Sequence, residues 1–126
     1  MKLRAVLWMP VCLVLMHHTA AAETLGYYRQ PTLHDTTLVF VAEGDLWKVP
    51  TGGGAATRLT SHLSEESLPA ISPDGSTLAF AAQYEGATEI YTMPLAGGRV
   101  VRRTFDGSQR IDYVGWTPDG KLLYAT

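Results

Sequence analysis

The hydrophobic residues of this chain gather in short runs, and the runs recur. Leu38-Val39-Phe40-Val41-Ala42 has its counterpart in Leu78-Ala79-Phe80-Ala81-Ala82, 40 residues on. Each is apolar at successive rather than alternate positions, which suits a strand covered on both faces. A second block, Asp45-Leu46-Trp47-Lys48-Val49-Pro50, returns as Glu89-Ile90-Tyr91-Thr92-Met93-Pro94, 44 residues on. It alternates and is rich in β-formers, so it predicts another strand. At the same spacing of 44, Gly53-Gly54 returns as Gly97-Gly98 and Arg58-Leu59-Thr60 as Arg102-Arg103-Thr104. The four extra residues of the second copy are expected in its middle loop.

A third copy starts further on. Ile71-Ser72-Pro73-Asp74-Gly75 recurs as Trp116-Thr117-Pro118-Asp119-Gly120, 45 residues later, and Leu122-Leu123-Tyr124-Ala125 takes the place of the Leu78 run. Ser-Pro-Asp-Gly is turn chemistry: proline presets φ, aspartate tolerates the bridge region and glycine accepts positive φ. It therefore joins antiparallel neighbours. The glycine pairs predict the next hairpin, and Val100 to Thr104 the outer strand, where Arg102 and Arg103 would blunt an exposed edge.

Repeats of about 40–45 residues with four strands each predict propeller blades. The expected fold class is all-β: an incomplete β-propeller of about two and a half four-stranded antiparallel blades, spanning about 27–60, 69–104 and 113–126, the last broken off inside its second strand. Propellers close with about 4–8 blades. The sequence is therefore expected to open a longer protein, and in isolation to leave two blade faces bare.

The first 22 residues do not fit this pattern. Lys2 and Arg4 precede an apolar run from Ala5 to Met16, and Ala20-Ala21-Ala22 follows. That is the layout of a secretory signal peptide, and the run is short for a membrane span, which needs about 20 apolar residues. Cleavage is expected between Ala22 and Glu23. Cys12, the only cysteine, follows Val11 inside the apolar run, which argues against a lipoprotein anchor. The expected destination is the periplasm or the exterior. The 104 residues that remain lack cysteine, so packing and strand pairing must hold the fold.

Composition is ordinary for a globular chain, with 46% hydrophobic and 17% charged residues, and excludes a disordered one. Losing Lys2 and Arg4 moves the net charge from −2 to −4, which disfavours nucleic acid and anionic membrane surfaces as partners.

Candidate chemistry is sparse. His34 and His62 sit in predicted loops with no cysteine beside them, so no metal site is expected. Gly52-Gly53-Gly54 lacks the Gly-Lys-Ser/Thr ending of a phosphate loop, and no Gly-x-Ser-x-Gly elbow occurs. Glu65-Glu66 reads as a solvated connection between blades. Trp47, Tyr91 and Trp116 fall at strand positions and suggest packing between blades. No catalytic, cofactor-binding or metal-binding residue and no cofactor is expected, and the chain by itself should have no peptidase activity.

The order Ser-Pro-Asp-Gly, Leu-Ala-Phe, Ile-Tyr, Gly-Gly, Arg-Thr resembles the WD-repeat-like blades of bacterial exported proteins. Gly26-Tyr27-Tyr28-Arg29-Gln30-Pro31-Thr32-Leu33-His34 followed by Leu38 to Trp47, with Leu59-Thr60-Ser61-His62, Glu65 to Gly75, Tyr84-Glu85-Gly86 and Glu89 to Pro94, resembles the opening of the tricorn-like serine proteases. The resemblance implies that a PDZ-like domain and catalytic domains with a serine nucleophile and a histidine base follow. It implies that the propeller gates or channels unfolded peptides, the substrate of the full-length protein, and it leaves open a homo-oligomer. In that family, basic residues in the loop before the third blade anchor a substrate's C-terminal carboxylate; Arg110 stands near that place if one gap is allowed. Two other propeller families remain as alternatives: the periplasmic scaffold of the Tol–Pal system, which carries an α/β domain ahead of its propeller, and the prolyl-oligopeptidase-like hydrolases.

Overall fold

A computed structural model of the protein describes residues 27–126. The expected signal segment, 1–22, and the cleavage point between Ala22 and Glu23 lie outside the described residues. The described residues form ten strands and no helix. β1 (Arg29–His34), β2 (Thr37–Ala42), β3 (Asp45–Pro50) and β4 (Thr57–Arg58) make one sheet in sequence order. β5 (Glu66–Ile71), β6 (Thr77–Glu85), β7 (Ala87–Pro94) and β8 (Val101–Arg102) repeat it, and β9 (Tyr113–Trp116) pairs with β10 (Leu122–Ala125). All pairings are antiparallel, so each sheet is a meander of the kind that makes a propeller blade.

Local chemistry explains the turns. Glu43 and Gly44 both have positive φ, 55° and 84°, which makes the two-residue link between β2 and β3 a type I′ turn suited to the twist of the strands it joins. In the Ser72–Ser76 turn, the Gly75 amide bonds the Ser72 carbonyl at 2.9 Å. The Asp74 carboxylate takes hydrogen bonds from the Ser72 hydroxyl and from the Ser76 amide and hydroxyl, which hold its pKa at about 2.

The four extra residues of the second repeat do not make a loop. They lengthen β6 and β7, which pair out to Glu85 opposite Ala87 around Gly86, with an irregularity after Ala82. The outer strands are correspondingly short. Paired residues stop at Arg58 and Arg102, although the Leu59 and Arg103 amides still bond the Leu46 and Ile90 carbonyls.

The inner strands share a feature outside the 40-residue and 44-residue repeats. Gln30 and Leu68, 38 residues apart and each followed by proline, have φ of 50° and 53°, and the ladders of β1 and β5 lose register there. The Gln30 side-chain carbonyl accepts the Leu68 amide at 2.9 Å, so one bulge ties to the next.

Blades stack head to tail. Val39, Val41 and Leu46 of the first sheet form one core with Leu78, Phe80, Ala82, Tyr91 and Met93 of the second. The opposite face of the second sheet, Ala79, Ala81 and Ile90, packs on Ile111 and Val114, with Trp116 and Leu122 at the margin. Successive apolar positions thus serve two different neighbours, as the unbroken runs require. Phe80 is fully buried, and burial of such a side chain contributes about 1.5–3 kcal/mol.

Candidate functional site: buried acid networks and an open blade face

Two polar knots occupy equivalent places. In the second blade the Glu89 side chain is 1% exposed at the junction of β7 and β8. The Arg102 guanidinium donates to it at 2.9 Å, the Gly107 amide at 2.9 Å, and the Thr104 hydroxyl also donates. Thr104 Oγ1 in turn accepts the Ile90 amide at 2.9 Å. Burial works against the Glu89 charge, but the Thr104, Gly107 and Arg102 bonds outweigh it and bring its pKa down to about 2.

The first blade has Asp45 where the second has Glu89, with Arg58 and Thr60 in place of Arg102 and Thr104. Arg58 pairs with Asp45, and the Thr60 hydroxyl accepts the Leu46 amide at 2.9 Å. Here Thr60 Oγ1 donates at 3.1 Å to Glu66, a residue of the next blade. Asp45 lacks one methylene relative to Glu89, and Glu66 supplies the acceptor that Glu89 supplies for itself.

Two sequence expectations are corrected by these knots. Glu66 is not part of a solvated connection: it is 1% exposed in β5, and its amide bonds the Gly44 carbonyl at 2.8 Å. Glu65 beside it stays exposed, 3.9 Å from Arg29. Arg102 does not stand free at an edge, since it bridges Glu85 at 2.5 Å and the buried Glu89. Arg103 is exposed as expected, with its Nε donating to Thr92 at 2.6 Å. The signal for the Arg102 correction lay in the sequence, in the acid, arginine and threonine that recur together at a spacing of 44.

The histidines serve packing. His34 Nε2 lies 2.9 Å from the Pro73 carbonyl, linking the first hairpin to the second blade's turn. The His62 ring lies 4.0 Å from that of Tyr84. No group of three or more potential metal ligands occurs among the described residues.

The first blade presents one face with no other described blade against it, although Phe40 and Ala42 on it are buried. Phe40, Trp47, Ala42 and the N-terminal Tyr28 line a cleft of about 510 Å³ there, and Leu38 and Val49 continue it. The rings of Tyr28 and Phe40 meet edge to face at 5.1 Å. Trp47 lies on this face, away from the core shared with the second blade; its indole donates to the Ala42 carbonyl at 3.1 Å. Tyr91 and Trp116 do pack between blades, Trp116 donating to the Ala70 carbonyl at 3.0 Å. In repeat register, Leu38, Phe40, Ala42, Trp47 and Val49 are the counterparts of Leu78, Phe80, Ala82, Tyr91 and Met93, the face that receives a preceding blade.

Residues 25–126 match the family described as the tricorn protease N-terminal beta propeller domain. The chain belongs to this tricorn N-terminal propeller family. It is 39% identical to tricorn protease homolog 1 of Streptomyces coelicolor over 98 residues, which is 78% of this chain and 9% of that protein. It is 29% identical to the putative tricorn-like protease N-terminal subunit of Sulfurisphaera tokodaii, covering 80% of this chain and 53% of the relative. The fold superposes on the crystal structure of the tricorn protease with a TM-score of 0.69 at 23% identity, over 80% of this chain and 11% of that one. TolB from Acinetobacter baumannii superposes with a TM-score of 0.68 at 26% identity, over 76% and 25%. The chain thus spans a small part of most of these relatives.

Within the tricorn propeller, Arg110 lies in the loop before β9. Its side chain is 84% exposed and ion-paired with Asp112, so its charge is already partnered.

Proposed function

We propose that this chain supplies the first blades of the propeller of an exported tricorn-like serine protease, and that the propeller gates or channels unfolded peptides to catalytic domains encoded elsewhere in the protein. The observation that carries the reading is the match to the tricorn N-terminal propeller along residues 25–126. The first-blade face lined by Phe40 and Trp47 supports it, because it repeats in sequence a face that the second blade covers with a neighbour. Export to the periplasm or exterior is part of the proposal and rests on the leader-like first 22 residues.

The test is a deletion of residues 27–126 from the full-length protein. Hydrolysis of short peptides should persist, while discrimination against long or folded substrates should be lost. A full-length protein with no serine peptidase activity, or with unchanged length selectivity after the deletion, would overturn the reading. The likeness to TolB favours a second reading as an envelope scaffold. A full-length protein without peptidase activity that binds envelope proteins would support it.

A further inference from the structure

We propose that Glu66 is a proton-carrying clasp between the first two blades, closed while its carboxyl is protonated and loosened when it ionises. Among the buried carboxyls described, Asp45 has Arg58 and Glu89 has Arg102, but no ion pair reaches Glu66. Its partners are neutral hydroxyls from both sides of the junction: Thr60 from the first blade at 3.1 Å and Tyr84 from the second. Its amide fastens β5 to the first blade's β2–β3 turn through Gly44. The amide and carboxyl of Glu66 thus pin the start of β5 to the preceding blade, beside the Gln30–Leu68 tie further along the strand.

The charged and titratable groups around it do not supply a cation. Asp45 on β3 is negative and engages Arg58 of β4. His62, between β4 and β5, stacks on the far partner, Tyr84. Tyr91 of β7 packs on Tyr84 with its hydroxyl buried and unpartnered, and Glu65 turns outward toward Arg29. An ionised Glu66 would be a nearly water-free negative charge beside another, a costly arrangement. Protonation removes that charge. The Tyr84 oxygen can accept the added hydrogen, since a phenol both donates and accepts.

Burial, with Asp45 adding to it, raises the Glu66 pKa above 4.5 against the opposing Tyr84 and Thr60 hydrogen bonds. A raised folded value means the clasp contributes fully below the unfolded value and weakens as pH rises through the folded one. The third blade has Ile111 in the equivalent place, so of the two junctions among the described residues the first has the device and the second does not.

The test is a carbon-13 NMR titration of the Glu66 carboxyl in the full chain, with amide exchange at Glu66 and Leu46 followed in wild type and E66Q. Glu66 should titrate above its ordinary value of 4.5, in the direction that its burial sets. Protection of both amides should fall about tenfold or more from pH 5 to pH 8 in wild type, and stay level in E66Q. Titration at or below the ordinary value, or an equal fall in E66Q, would overturn the proposal. If E66Q does not fold, the wild-type titration decides alone.

Discussion

Arg102 reaches back from β8 to the buried carboxylate of Glu89 at 2.9 Å, and Arg58 makes the same reach to Asp45 one blade earlier. The outer strand of each of the first two blades is only two paired residues long. What holds it is therefore less the ladder than this ionic anchor behind it.

The anchor gives stability a pH dependence of definite sign. The folded pKa of Glu89, about 2, lies below its ordinary 4.5, so its contribution is present above 4.5 and disappears as pH falls toward 2. Thermal midpoints between pH 2 and 6 should drop more steeply toward acid in wild type than in E89Q. An identical slope would count against the anchor.

Thr104 should matter more than its size suggests. Its hydroxyl accepts the Ile90 amide and donates to Glu89, so T104V leaves the buried Ile90 amide unpaired, takes one of several donors from Glu89, and should cost about 1–3 kcal/mol by urea unfolding. T104S should recover most of that loss. T60V should behave alike in the first blade.

Gly75 has φ of +71°, and a Cβ there would stand 2.6 Å from the His34 ring. G75A should cost about 1 kcal/mol through backbone strain, and more because the His34 ring must leave its place against the Pro73 carbonyl to make room. In H34A the additional cost of G75A should shrink to that backbone part. A double-mutant cycle on unfolding free energies measures it.

The Gln30–Leu68 tie joins two bulges across the first junction. Q30A should free the Leu68 amide, raising its exchange rate sharply in NMR while lowering global stability by no more than about 1 kcal/mol, since the site is exposed.

The periodic features were legible in the sequence and the aperiodic ones were not. Apolar runs such as Leu78–Ala82 repeat, and repetition reveals strands, turns and blades. Glu66 breaks the repeat, its third-blade counterpart being Ile111, so it passed for a surface residue beside Glu65. Nothing local marks a carboxyl whose partners, Thr60 and Tyr84, come from two different sheets. The bulges at Gln30 and Leu68 did repeat, but at a spacing of 38 that the 40-residue and 44-residue offsets concealed.

The missing methylene of Asp45 has a consequence for any attempt to rebuild the ring from its parts. Blade two carries its own acid, arginine and threonine and could be copied in tandem as a self-sufficient module. Blade one borrows Glu66 from its successor. Transplanted without that residue, it would arrive with Thr60 lacking its acceptor, and the two blades are not interchangeable despite their common plan.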